Sequence, residues 1–186
     1  MKTEFEARLL ECDYISIIEK LNTLGATFNG DNIQMRYCYD FNPVKENSWI
    51  RLRTNGVTTT LTIKEIKDAS VSGTKESEIV VSSFEETDKI LNKLGYFARS
   101  IQENRRVQYI LDGVEVDIDF WPMIPPYLEI EGDSEASIIK VVEKLGLDYS
   151  KFTSLDVSGV YDYYGKPLGN KDLKLEEEKK NIKLVK

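Results

Sequence analysis

Charge alternates with apolar residues along segments that otherwise read as β-strands, beginning at Glu4-Phe5-Glu6-Ala7-Arg8-Leu9. Successive strand side chains point to opposite faces, so Glu4, Glu6 and Arg8 share one face and Phe5, Ala7 and Leu9 the other. The pattern recurs where Arg51 and Arg53 flank Leu52, where Thr60, Thr62 and Lys64 interleave with Leu61 and Ile63, and where Glu76 and Glu78 precede Ile79. Asp117 and Asp119 alternate with Val116, Ile118 and Phe120, and Glu129 and Glu131 flank Ile130. If these strands form one closed sheet with helices over the apolar face, the charged face lines an interior holding acids and bases together. Such an interior is a site and not a core.

Three helices follow from period and caps. The first is predicted after Asp13 as N-cap, with Tyr14, Ile17, Ile18, Leu21 and Leu24 on one face and Gly25 as its stop. The second is predicted from a capping box, Ser83 with Glu86, and continues through Phe84, Ile90, Leu91 and Leu94 to Gly95. The third starts near Asp133 or Ser134, buries Ile138, Val141, Val142 and Leu145, and stops at Gly146. Each follows closely on an E-x-E strand, a weak internal repeat.

Between the first two helices lie Gln34 to Asp40, Ser48 to Arg53 and Val57 to Glu65, with Asn55-Gly56 as a hairpin signal between the last two. Arg105 to Leu111 and Val114 to Phe120 are joined by a second such signal, Asp112-Gly113. Pro122, Pro125 and Pro126 make a rigid crossing before Tyr127 to Glu131. The sum is an α+β chain of about eight strands and three helices around a barrel-like sheet, spanning 1–165. From Lys166 to Lys186 the composition shifts to Lys, Glu and Asn, which reads as a charged helix or solvated tail.

Composition narrows the function classes. A formal net charge of -7 over 186 residues argues against a nucleic-acid partner held by a basic surface. No apolar run approaches the ~20 residues a membrane span needs, and a cytoplasmic location is expected. Cys12 and Cys38 form no C-x-x-C pair and histidine is absent, which disfavours zinc and a histidine relay. Acid-x-acid spacing arises about five times by chance at this acidity, so no single pair carries weight. The informative feature is the coexistence of strands of paired acids with a strand of paired arginines, because like charges along one face repel unless a counter-ion lies between them. Converging carboxylates suit a hard divalent cation, Mg²⁺ or Mn²⁺, and arginines with a lysine suit phosphate oxygens. The expected ligand is a metal-bound polyphosphate.

At these residues the chain resembles the CYTH superfamily, the triphosphate tunnel metalloenzymes that include class IV adenylyl cyclases, thiamine triphosphatases and inorganic triphosphatases. The likeness runs from Glu4 to about Tyr161 through Glu4-Phe5-Glu6-Ala7-Arg8, Arg51-Leu52-Arg53, Thr62-Ile63-Lys64, Glu76-Ser77-Glu78, Arg105-Arg106 and Glu129-Ile130-Glu131. It implies an eight-stranded antiparallel tunnel with outer helices, a bound triphosphate and one or two divalent metals. Carried over by position, Glu4, Glu6, Glu129 and Glu131 would hold metal with Asp119 or Asp117. Arg8, Arg51, Arg53, Lys64, Arg105 and Arg106 would form the phosphate-gripping set, with Glu76 and Glu78 as supporting acids and Glu4, Glu6, Arg8 and Lys64 nearest the chemistry. Arg8 stands where the family usually has lysine, Asn104 where a lysine often precedes the basic-strand arginine, and Pro125-Pro126 where glycine is usual. The missing histidine departs from a His-Phe pair associated with cyclase members and favours phosphohydrolysis. Cyclisation of ATP, a non-catalytic polyphosphate or nucleotide sensor, and a protein-interaction domain remain the alternatives, and a homodimer is left open.

Overall fold

The computed structural model describes residues 1–168 and 172–184. In chain order the elements are β1 (Lys2–Leu9), α1 (Tyr14–Thr23), β2 (Thr27–Tyr39), β3 (Ser48–Thr54), β4 (Thr59–Ile66), β5 (Thr74–Val81), α2 (Phe84–Lys93) and β6 (Ala98–Leu111). They continue with β7 (Val114–Phe120), β8 (Tyr127–Gly132), α3 (Glu135–Leu145), α4 (Val157–Tyr163) and α5 (Glu177–Lys180). The eight strands close into one antiparallel barrel in the order β1-β5-β4-β3-β2-β6-β7-β8. Closure removes the unpaired edges that an open sheet would present. No helix among the described residues is long and apolar enough to cross a membrane.

Period-2 alternation decides which side of the wall each residue faces. The outward residues Ala7, Val107, Tyr109, Val116, Ile118, Leu128 and Ile130 pack under Ile17, Ile18 and Leu21 of α1 and Ile138, Val141, Val142 and Leu145 of α3. Full burial of each large aliphatic side chain stabilises the fold by roughly 1.5–3 kcal/mol. The hydrophobic core therefore lies outside the barrel and leaves the interior free for polar side chains. A second cluster, Tyr39, Ile50, Leu52, Phe84 and Leu91, fixes α2 against β2 and β3.

The helices begin close to their predicted caps: Asp13 accepts from the Ser16 amide, Ser83 from Glu86 and Ser134 from Ser137. The reciprocal capping box belongs to α3, through Ser134 and Ser137, and not to α2, where the Glu86 carboxylate pairs with Lys89 instead. On α2 the docked stripe runs through Phe84 and Leu91, with Asp88 accepting from the Tyr39 hydroxyl at 2.8 Å. Ile90 and Leu94 lie off this stripe and are exposed, contrary to the sequence expectation.

Both hairpins form. Asp112 and Gly113 take positive φ, 55° and 81°, which a two-residue type I′ turn requires. The other loop is four residues long, because Asn55 Oδ1 accepts from the Val57 and Thr58 amides and delays pairing until Thr54 meets Thr59. Two elements go beyond the sequence expectation. Helix α4 forms behind Asp156, whose carboxylate accepts from the Gly159 amide, and contributes Val160 and Tyr161 to a cluster with Trp121, Ile124, Tyr127 and Leu173. The charged C-terminal stretch contains the short helix α5, but it is also strapped to the barrel: Leu173 exchanges backbone hydrogen bonds with Ile101 and Glu103 on β6, beyond the reach of β7. Leu173 and Leu175 are buried there, and Lys179 Nζ donates to the carbonyls of Trp121 and Ile124.

Candidate functional site

The inward faces enclose a cavity of about 600 Å³. In the closed strand order, β2 stands four places from β1 and β3 four places from its neighbour β8, so these pairs face each other across the lumen. The acidic wall is built on β1, β8 and β7, and the arginine wall on β3 and β2. Register places charges opposite one another: Glu6 pairs with Glu131, Arg8 with Glu129, Arg106 with Asp119, Lys64 with Glu76, and Thr62 with both Arg51 and Glu78.

On the acidic wall, single ligand oxygens from Glu6, Glu129 and Glu131 lie within 4.8 Å of one another. Glu6 accepts from Arg8 Nη2 at 2.8 Å, and Glu129 is held by Arg8 at 2.6 Å and Arg106 at 2.8 Å. Burial opposes the Glu129 anion, but Arg8, Arg106 and Lys64 outweigh it and hold the carboxyl well below its usual range. Glu131 makes no ion pair among the described residues, and burial together with the nearby Glu4 and Glu129 anions pushes it up to about 8. Glu4 is gripped by Lys64 Nζ at 3.0 and 2.9 Å, and burial still raises it. Three convergent carboxylates, one without a basic partner, fit a hard cation that takes oxygen ligands and fills its remaining positions with water or phosphate oxygens.

Arg106 sits in a nest of acids. Its Nη1 meets Asp117 at 2.6 Å, its Nε and Nη2 meet Asp119 at 2.9 and 2.6 Å, and Nη2 also meets Glu129. Asp117 and Asp119 thus hold Arg106, outside the convergent trio, and Asp117 lies at about 7 because burial outweighs the guanidinium. Arg8 is similarly engaged: it donates to Leu155 O at 2.7 Å as well as to Glu6, and although burial lowers it, Glu129 and Glu6 raise it well above its ordinary value. An arginine so placed acts as a fixed charge and not as a proton donor.

The opposite wall has the reverse imbalance. Arg51 and Arg53 share one carboxylate, Glu78, at 3.2 and 3.8 Å, and the adjacent Arg51 charge with burial pulls Arg53 down to about 9. Glu78 is lowered despite its burial, by the Thr62 hydroxyl and by Arg53 and Arg51. Glu76 lies 3.6 Å from Lys64. Most of the expected tunnel residues therefore line the cavity, and two do not: Asp117, expected as a possible metal ligand, is buried against Arg106 instead, and Arg105 lies on the other face of its strand. Arg105 points to the outer surface, where it binds Asp31 through two 2.7 Å contacts and the carbonyls of Lys179 and Ile182 at 3.0 and 2.9 Å. Adjacent strand residues face opposite ways, so Arg105 and Arg106 cannot both enter the lumen.

Sequence reasoning also missed lining residues. Asn32, Gln34 and Arg36 on β2, Gln102 on β6, Glu115 on β7 and the start of α4 all reach the cavity. The alternation Gln34, Arg36, Cys38 against Met35, Tyr37, Tyr39 was the available signal. Trp49 lines the cavity on the face of Arg51 and Arg53, and Trp121 is 1% exposed with the Arg36 guanidinium 4.5 Å from the centre of its ring.

Comparison with solved structures supports the same architecture. The PH1012 protein from Pyrococcus horikoshii aligns with TM-score 0.70 at 23% identity, over 82% of this chain and 96% of that one. A candidate adenylate cyclase from Vibrio parahaemolyticus aligns with TM-score 0.69 at 10% identity, over 87% and 98%. HpAC1 from Hippeastrum, a candidate adenylyl cyclase described as having a dominant triphosphatase activity, aligns with TM-score 0.59 at 15% identity, over 91% and 99%. At these identities the likeness is one of fold. No curated protein matches the sequence. The family model for the CYTH domain matches residues 17–164, and with that match over most of its length the chain belongs to the CYTH domain family.

Proposed function

We propose that the protein is a divalent-metal-dependent triphosphatase acting on inorganic triphosphate or a small organic triphosphate. The observation that carries this reading is the facing of two incomplete charge sets across one cavity: Glu6, Glu129 and Glu131 on one wall, Arg51 and Arg53 on the other. Buried charges of one sign are costly without partners. A condensed phosphate carrying a hard cation satisfies both sets at once, and neither ion alone does.

Glu6, Glu129 and Glu131 would hold Mg²⁺ or Mn²⁺, which when bound neutralises phosphoryl oxygens and lowers the barrier to attack. Arg51 and Arg53 bind phosphate oxygens through forked N–H groups and stabilise the charge that builds on them. Lys64, anchored between Glu4 and Glu76, adds a point charge beside the acidic wall. Glu4, raised by burial, is suited to orient the attacking water and take up its proton. Arg8 and Arg106 keep the acidic wall in place.

Hydrolysis is favoured over cyclisation by the absence of histidine and by the cover that Arg36 places on Trp121, which removes that ring as a stacking surface for a nucleobase. The test is product identification after incubation with Mg²⁺ or Mn²⁺ and either inorganic triphosphate or ATP. Orthophosphate supports the reading. Pyrophosphate with cyclic AMP selects the cyclase, and tight binding without turnover selects a sensor.

A further inference from the structure

Arg36 lies on the inner face of β2, is 6% exposed, and lines the cavity. Its hydrogen-bond partners are neutral: Nη2 donates to Gln34 Oε1 at 3.0 Å and to Asn104 Oδ1. No carboxylate among the described residues lies within ion-pair distance, and its buried Nε has no partner. Burial and the charges of Arg51 and Arg106 pull its guanidinium down to about 10, and the more distant Asp119 only partly offsets them. Stacking on Trp121 and two amide contacts orient the group but do not neutralise it. On this side of the cavity Arg36 joins Arg51 and Arg53, of which only the latter two pair with a carboxylate, Glu78. A buried guanidinium without a counter-ion is a poor stabilising device and a good anion receptor.

We propose that Arg36 is a third phosphate-contacting arginine, which with Arg51 and Arg53 grips the part of a condensed phosphate that lies away from the carboxylate wall. This rests on the reading of the tunnel as a triphosphate site. It adds a residue on β2, outside every motif recognised in the sequence, and explains how the wall keeps its positive charge although Asn104 is uncharged. Gln34 and Asn104 then act as positioning residues that hold the guanidinium fork by their amide oxygens.

A structural role and a binding role predict opposite outcomes. Arg36→Met removes a desolvated, unpaired cation, so the ligand-free protein should melt at the same temperature or higher, while inorganic triphosphate with Mg²⁺, measured by calorimetry, should bind at least about tenfold more weakly, the loss expected for one charged hydrogen-bonding contact. Arg36→Lys should retain part of the affinity, and Arg36→Met/Asn104→Lys should recover it, since Asn104 touches the Arg36 guanidinium. Unchanged triphosphate affinity in Arg36→Met, alongside weakened binding in Arg53→Ala, would overturn this assignment and leave the triphosphatase reading standing. A large drop in melting temperature that Asn104→Lys does not reverse would make Arg36 structural and overturn it equally. Failure of the unsubstituted protein to bind triphosphate would remove both.

Discussion

Replacing Arg106 by methionine leaves Asp117, Asp119 and Glu129 facing one another without the guanidinium that joins them. These carboxylates are 1%, 1% and 5% exposed, and Arg106 meets them at 2.6–2.9 Å. Removing one partner of a buried ion pair costs ~3–5 kcal/mol, since the remaining charge is unpaired. At about 2–4 °C per kcal/mol for a domain of this size, melting should fall by roughly 6–20 °C near neutral pH. The pH dependence identifies the cause. Glu129 is held low in the intact protein, so its stabilisation is present above the unfolded carboxylate value of ~4.5 and is lost only as pH falls further. In Arg106→Met the buried Asp117, pushed up to about 7 even with Arg106 beside it, loses the charge that opposes its burial and rises further, so the variant gains more stability than the original protein as pH falls from about 8 towards 7. The gap between the two proteins should therefore narrow on acidification. Denaturant melts at several pH values read both effects. A variant as stable as the original near pH 8, or a gap that does not change with pH, would refute the ion-nest account.

Arg105→Ala, which loosens the C-terminal strap from the outer wall, should cost ~1.5–3 kcal/mol and expose residues 172–184 to protease, with triphosphate affinity unchanged by calorimetry. Glu131→Gln removes a carboxyl pushed up to about 8. Because a raised acid binds its proton more tightly in the folded state, the original protein should lose stability as pH rises from about 4.5 to 8, and the variant should show a flatter profile, a difference of order a few kcal/mol at the alkaline end. Mg²⁺ should raise the melting temperature of the original protein and not of Glu131→Gln. Glu78→Gln leaves Arg51 and Arg53 without their shared carboxylate, so thermal melts should show lower stability without ligand and a larger gain on adding triphosphate.

The barrel was legible because a strand's period of two exposes itself wherever charges and apolar residues alternate, as at Glu4 to Leu9 and Glu129 to Glu131. The same rule decides where Arg105 goes: Val107 and Tyr109 pack outward under α1 and α3, so Arg105 shares their face and Arg106 takes the lumen. Arg36 escaped notice because its inner-face neighbours, Gln34 and Cys38, carry no charge, and its importance depends on β6 and Trp121 coming beside it. Helix α4 is short and contains Gly159, which weakens a periodic signal, although Asp156 offered an N-cap. The strap was hidden by its charged composition. Leu173 and Leu175 are ordinary residues until the open end of β6 gives them an edge to pair with, a contact between segments about 70 positions apart.

The most direct test of the tunnel as a joint metal and triphosphate site is the mutual dependence of the two ligands. Calorimetric titration of inorganic triphosphate should show affinity rising with Mn²⁺, with the enhancement abolished by Glu6→Gln and the phosphate binding itself lost in Arg53→Ala. Triphosphate affinity indifferent to Mn²⁺, and indifferent to both substitutions, would contradict the account.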